Sequence, residues 1–344
     1  MYLTSKDQNL VIKSFSTLST YLFNEDNKIK STVEKACIHN AWFTPESVRF
    51  SIKALAESMK KENVKHWLSL YPQVSLLTTV PKRIALVMAG NIPAVGFHDI
   101  LCVLASGNIA LLKLSSQDTV LIPFLLEELS RIEPWFKSRY EILDRLAGFD
   151  AVIATGSNNS SRYFDYYFGR YPNIIRKNRN SIAVLNGTET QAELELLGQD
   201  IFMYFGLGCR SVAKLYVPED YSFTPFFEAI EHWSRLLDMH KYAHNYDYQL
   251  TLKLLSQTIH YSNGFFILAE NESLHSAISV MHYEIYADID QLKVLLIEKA
   301  DAIQCTVSSM TGLPGSLNLG STQQPQLWDY ADNIDTMKFL LAQG

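Results

Sequence analysis

Cys209 follows Gly206-Leu207-Gly208 in the stretch YFGLGCRSVAKLYV, residues 204–217, where a helix-like pattern gives way to a strand-like one. Two glycines so close together strip side chains from the backbone and permit angles that other residues resist, so a molecule can approach the sulfur. A thiolate attacks carbonyl carbon readily, whereas a cysteine buried only for packing needs no such opening. Three more stretches offer polar groups at the ends of apolar runs. GNIPAVG, 90–96, presents Asn91, whose amide can donate to developing negative charge, a contribution of about 3 kcal/mol in a dry site; the plain alternative is a turn in which asparagine and proline serve the backbone. SGNIALLKLSS, 106–116, ends on Lys113, Ser115 and Ser116, a cation beside two hydroxyls, or else a solvated lysine at a strand end. ATGSNNSSRYF, 154–164, sets Thr155, Gly156 and Ser157 ahead of a helical pattern, where backbone N–H groups and the helix dipole make an anion site or an N-cap without a ligand. Glu284 in HYEIYADID, 282–290, puts a carboxylate on a strand, where a solvated face residue is the simpler alternative.

These residues need a scaffold, and the apolar pattern supplies one. Up to about residue 75 apolar positions recur at helical spacing, and Thr44-Pro45-Glu46 reads as the N-cap, N1 proline and acidic first turn of a helix running toward Leu70. From Arg83 short apolar runs alternate with helix-length segments: IALVMAG, IALLKL and DAVIAT, then SIAVL, VAKLYV, GFFILAE, VMHYEIY and IQCTVSS. Strands buried on both faces and alternating with helices imply parallel sheets, with ligands at the carboxyl ends of strands. The expectation is an α/β protein of two lobes with a helical lead-in: residues 1–185, with 315–344 returning, as the first lobe, and 186–314, bearing the cysteine, as the second. The aromatic run Tyr163, Phe164, Tyr166, Tyr167, Phe168 and Tyr171 reads as packing of one helix on the sheet.

Composition narrows the function. The chain has 344 residues, 47% apolar and 19% charged, enough for two cores and typical of a globular protein. A net charge of −6 with no run of lysines or arginines gives no reason to expect a nucleic-acid partner. The longest apolar stretch, 100–114, is broken by Ser106, Gly107, Asn108 and Lys113 and is shorter than the roughly 20 residues a membrane-spanning helix needs. The amino terminus lacks the apolar core of a secretory signal, and a cytoplasmic location is expected. The four cysteines lie at least 65 positions apart, so neither a disulfide framework nor a metal site is indicated.

In order and type, the five stretches resemble the aldehyde dehydrogenase superfamily, and most closely its short acyl-CoA reductase branch, the LuxC-type fatty acyl reductases. The resemblance covers about residues 80–310 and implies an aldehyde-dehydrogenase-like fold whose doubly wound lobe binds a nicotinamide cofactor. By it Cys209 is the nucleophile, with Leu207 replacing the usual glutamine, and Asn91 and the Cys209 N–H hold the oxyanion. Lys113, with Ser115 and Ser116, holds the adenosine ribose; Thr155, Gly156 and Ser157 meet the pyrophosphate; Glu284 positions the nicotinamide ribose. NAD-preferring members often have a glutamate where this chain has Ser116, so NADPH is expected over NADH.

One departure is informative. The aldehyde oxidisers carry a water-activating glutamate in a stretch that corresponds here to NIIRKNRNSIAVL, 173–185, which has none. Loss of such a base costs about 10²- to 10⁴-fold, which argues against acid formation and for exchange with a thiol. The resemblance therefore implies NADPH-dependent reduction of an acyl-CoA or acyl-carrier thioester to an aldehyde through acyl-Cys209. The alternatives are a cysteine acyltransferase or thioesterase on the same scaffold, a related aldehyde or semialdehyde dehydrogenase, or a non-catalytic nucleotide-binding or assembly protein. A homodimer is left open. Arg210 stands next to Cys209 as a group able to favour the thiolate, and His98, His240 and His244 are acids by type, with surface or packing roles the simpler reading. The shortness of 113–157 suggests that one strand–helix unit of the cofactor lobe is missing.

Overall fold

A computed structural model describes residues 5–72, 80–156, 158–313 and 315–343. The chain divides into two compact units, residues 1–178 with 324–344, and residues 179–323. The divisions thus fall at 178/179 and 323/324, rather than at the expected 185/186 and 314/315.

The first unit opens with helices Ser5–Phe23, Asn27–His39, Pro45–Ser58 and Lys61–Ser69. Thr44 caps the third through a reciprocal box with Ser47, as its sequence implies. The single helix expected from 45 to 70 is two: Lys60 takes non-helical angles, and Asn63 Nδ2 donates to the carbonyl of Glu57, just before the break, at 2.9 Å. The strands are β1 (Arg83–Val87), β2 (Ile109–Lys113), β3 (Tyr140–Ile142), β4 (Ala151–Thr155) and β5 (Asn173–Arg176). They form an all-parallel sheet in the order β3-β2-β1-β4-β5. The strand of the unit suspected missing is therefore present as β3, while no helix separates it from β4 among the described residues.

Alternation along β1 sorts the two faces. Ile84 and Leu86 join the large core with the N-terminal helices, and Ala85 packs with Val152 and Ala154 against Phe164 and Phe168 of helix Asn158–Phe168. Helices on both faces make the sheet doubly wound. In helix Phe97–Ala105 every residue except His98 is buried, so this helix is apolar all round rather than amphipathic. It closes on Gly107, whose φ is 77°, a left-handed helix end that suits glycine. The C-terminal segment contributes Leu327, Tyr330, Met337 and Leu340 to the same core.

The aromatic run is core only in part. Tyr163, Tyr166 and Tyr167 are 66%, 82% and 61% exposed, because a helix that buries Phe164 and Phe168, four residues apart, turns the others outward. Tyr171 packs against Phe149 at 4.6 Å between ring centroids.

The second unit holds β6 (Asn180–Val184), β7 (Val212–Pro218), β8 (His260–Ser262), β9 (Ile267–Glu270), β10 (Val280–Tyr286) and β11 (Ile303–Val307). Their order is β11-β6-β7-β10-β9-β8, parallel except where β8 runs antiparallel to β9. Helix Gln191–Phe202, capped by Thr190 with Glu193 in a reciprocal box, connects β6 to β7. Helix Thr224–Ile230 runs into a 3₁₀ segment, Glu231–Asp238, and helix His240–Leu255 follows. No helix among the described residues is long and apolar enough to cross a membrane.

Candidate active site

In the first unit β1 connects outward to β2 and β3 on one side, and the chain then returns to β4 and β5 on the other. β1 and β4 therefore flank the topological switch point, where an open α/β sheet offers a crevice at its carboxyl edge. Asn91 follows β1, Thr155 ends β4 and Gly156 follows it, and Lys113 ends β2 with Ser115 and Ser116 just beyond. All six lie at that edge. Ser157 lies outside the described residues.

The loops are tightly built. A Cβ on Gly90 would stand 2.7 Å from Ser115 Cβ and 3.1 Å from Asp118 N, so only glycine lets the turn after β1 meet the loop after β2. Asp118 accepts from Ala94 N at 2.8 Å and from Leu121 N at 3.1 Å, and burial pushes its carboxyl above the usual range. Ser51 Oγ donates to Pro93 O at 2.7 Å. From the N-terminal helices, His39 Nε2 donates to Ser116 O at 2.9 Å and Asn40 Nδ2 to Gln117 O at 3.1 Å. Lys113 and Ser116 remain exposed. A Cβ on Gly156 would meet Phe164 Cε2 at 2.7 Å and Ser160 Cβ at 2.9 Å, which sets the turn directly against the helix that follows it.

In the second unit helix Gln191–Phe202 unwinds through two left-handed residues, Phe205 (φ 59°) and Gly206 (φ 79°), and a second turn closes with Ser211 N donating to Gly208 O at 2.9 Å before β7 begins. Cys209 stands exposed on that turn. Ser181 Oγ, on β6, donates to Cys209 O at 3.0 Å, which ties the main chain at Cys209 to the sheet. Arg210, read as a partner for the Cys209 thiolate, directs Nη1 to Cys305 Sγ at 3.2 Å. None of the four cysteines is in a disulfide.

Glu284 is opposite Tyr216 on β7, four residues and about 13 Å of strand beyond the point where the Cys209 turn enters it. Its Oε2 accepts from Lys214 Nζ at 2.5 Å. The Lys214 side chain is wholly buried and also donates to Asn271 O at 3.0 Å and Glu272 O at 2.8 Å. Burial lowers the Lys214 pKa, and Glu284 opposes that shift. Lys214, Asp118, Ser51 and Ser181 support the candidate residues or their turns, and the sequence alone does not single them out. A lysine inside the apolar run VAKLYV and an aspartate just ahead of an apolar helix were the available signals.

The stretch 173–185, where a water-activating acid would lie, spans β5 and β6 and contains no carboxylate. Arg176 there forms a buried, two-toothed ion pair with Asp99 and donates to Thr336 Oγ1 at 3.1 Å. Among the three histidines, His98 donates from Nε2 to Leu327 O at 2.9 Å and packs edge-on against Tyr330, a packing role. His240 and His244 lie on helix His240–Leu255. Among the described residues no group of three or more His, Cys, Asp or Glu could hold a metal ion.

No curated protein matches the chain. Among solved structures it is similar to aldehyde dehydrogenase 21 of Physcomitrella patens, with a TM-score of 0.70 and 13% identity over 99% of this chain and 84% of that one. It is also similar to an NAD-dependent aldehyde dehydrogenase of Sinorhizobium meliloti, at 0.65 and 11% over 90% and 71%. An indole-3-acetaldehyde dehydrogenase of P. syringae matches at 0.62 and 11% over 90% and 73%. At such identities the likeness speaks to the fold, which is that of the aldehyde dehydrogenases. The family is carried by sequence: the model described as acyl-CoA reductase (LuxC) matches residues 34–232, more than half of the chain, from the N-terminal helices past the turn that exposes Cys209. With the fold and the matched segment agreeing, the chain belongs to the acyl-CoA reductase (LuxC) family, oxidoreductases of acyl and aldehyde groups.

Proposed function

We propose that this protein reduces an acyl-CoA, or another acyl thioester, to an aldehyde with NADPH, carrying the acyl group on Cys209. The observation behind the reading is the thiol itself, exposed on a turn that Gly206 opens and Ser181 tethers. In this reading the Cys209 thiolate attacks the thioester carbonyl carbon, while the Asn91 amide and the Cys209 N–H donate to the oxyanion. The carbon–sulfur bond to CoA breaks and CoA leaves as a thiolate. Without a carboxylate in 173–185, water is a poor competitor for the acyl-cysteine. NADPH, when bound, supplies the hydride that reduces the acyl carbon. Collapse of the hemithioacetal then frees the aldehyde and returns the Cys209 sulfur as thiolate. In sum, acyl-CoA, NADPH and one proton become aldehyde, NADP⁺ and CoA.

The carboxyl edge of the first sheet fits such a cofactor. Lys113 and Ser116 would hold the adenosine ribose with its 2′-phosphate, and Thr155, Gly156 and Ser157 the pyrophosphate; the resemblance gives the nicotinamide ribose to Glu284, which is on the second sheet. In the loop after β2 the one carboxylate, Asp118, is buried with both oxygens engaged, so it is not free to grip the ribose hydroxyls beside Ser116, which supports the phosphorylated form.

The test is NADPH oxidation by purified protein against a series of acyl-CoAs, with Cys209→Ala inactive. Acyl-CoA cleavage at equal rate with and without NADPH would replace this reading with a thioesterase or acyltransferase. Titration by nicotinamide fluorescence should give tighter binding of NADPH than NADH, with Ser116→Glu reversing the order; equal affinities remove the cofactor assignment.

A further inference from the structure

The turn that carries Asn91 contains a strained residue. Ala94 has a φ of 54°, a left-handed value that is unfavourable for a non-glycine residue and persists only where its surroundings impose it. Two side chains from outside the turn do so: Asp118 Oδ2 accepts from Ala94 N, and Ser51 Oγ donates to the carbonyl just before it, that of Pro93. Both side chains are buried.

Asp118 also starts the next helix, its Oδ1 accepting from Leu121 N. A serine could do that alone, without placing a carboxylate in the interior. What an aspartate adds is the second oxygen, and that oxygen is spent on Ala94. The close approach at Gly90 completes the lock, since the turn after β1 rests on Ser115 and on the main chain of Asp118 itself.

We infer that Asp118 is a positioning residue for the oxyanion donor: its carboxylate locks the turn after β1 so that the Asn91 amide is presented in one orientation. This rests on the reading of Asn91 given above. A hydrogen-bond donor to a developing charge is useful only in place, and a shift of about 1 Å can cost on the order of 10²-fold in rate.

Asp118→Ser separates the two duties, because a serine hydroxyl can cap Leu121 N but is too short to hold Ala94 as well. The readout is single-turnover CoA release from the best substrate in an acetyl-, octanoyl- and tetradecanoyl-CoA series. Asp118→Ser should slow it by about 10- to 100-fold, with the rate of Cys209 alkylation by iodoacetamide unchanged. In an Asn91→Ala background the same substitution should cost less than about twofold, because the amide it positions is gone. If Asn91→Ala alone leaves CoA release unchanged, the oxyanion reading fails and the role of Asp118 fails with it. If Asn91→Ala slows release but Asp118→Ser does not, or slows it equally in both backgrounds, the inference about Asp118 alone is overturned. Should Asp118→Ser not fold, Ser51→Ala removes the other strut. It should slow release by about 3- to 10-fold, again only while Asn91 is present, and a loss that persists without Asn91 overturns the inference.

Discussion

Lys214 and Glu284 show how much of a site one side chain can hide from the sequence. A lysine within VAKLYV is a visible anomaly, yet the acceptors that satisfy it lie 57, 58 and 70 residues away, and no local pattern identifies them. Cys209 and Asn91 stand out as candidates because their neighbours, glycine in one case and proline in the other, announce a backbone duty as well as a chemical one. The hidden pair has a thermodynamic consequence. Glu284→Gln leaves a wholly buried ammonium without its counter-charge, and the expected loss is about 3 kcal/mol in urea unfolding. Pairing it with Lys214→Met should regain most of that loss, since the long apolar side chain fills the same space and no charge stays buried. A double variant as unstable as Glu284→Gln would show that the ion pair is not what the lysine contributes.

Among the elements, the long apolar runs declared themselves and the short ones did not. β1, β2, β4, β6, β7, β9, β10 and β11 were readable as apolar runs, β9 because Phe265 and Phe266 lengthen its run, whereas β3 and β5 have three and four residues with polar flanks, too little for a period to register. β5 begins with asparagine and ends with an arginine whose partners Asp99 and Thr336 lie far away in sequence, so its sequence looks like a polar connector. The break at Lys60 was missed for a related reason: nothing at that point is glycine or proline, and the interruption is supported by a side chain, Asn63, from the following helix. The glycines before Cys209, in contrast, were read for access, and at Gly206 the structure adds a second reason. A Cβ on Gly206 would meet nothing within 4 Å, so space is not the constraint there; the φ of 79° is. Gly206→Ala should therefore cost about 1–2 kcal/mol in thermal unfolding through backbone strain, and it should alter the iodoacetamide reactivity of Cys209 three residues on. Gly206→Asn, a residue that tolerates left-handed angles, should be milder on both counts. Equal effects of alanine and asparagine would mean that the angle is not what glycine provides.

Over the whole molecule, the alternation of strand and helix was enough to call for two α/β bodies. The placing of 180–184 in the second was not, because that strand is assigned by its partners β7 and β11, which come later in the chain. The last part of the second unit is fastened in a way that should make stability depend on pH. Asp200, buried near the end of helix Gln191–Phe202, accepts from Gly320 N at 2.6 Å, from Thr322 N at 2.9 Å and from Thr322 Oγ1 at 2.7 Å. Burial nevertheless dominates and pushes its carboxyl from 3.8 up to about 6. Between those two values the folded chain holds a proton that the unfolded chain has released, so protons favour the fold. The contribution of this group is therefore greatest below about pH 4, declines as the pH rises, and levels off above about pH 6, a total change of roughly 3 kcal/mol. Asp118, also raised by burial, adds to the same slope, whereas Asp26 and Glu193, held low by main-chain hydrogen bonds, oppose it. Comparison with Asp200→Asn isolates the one group: across pH 4 to 6 the native protein should lose stability relative to the variant, as measured by urea unfolding at each pH. Parallel curves would mean that the three donors around Asp200 hold the carboxylate ionised in spite of its burial.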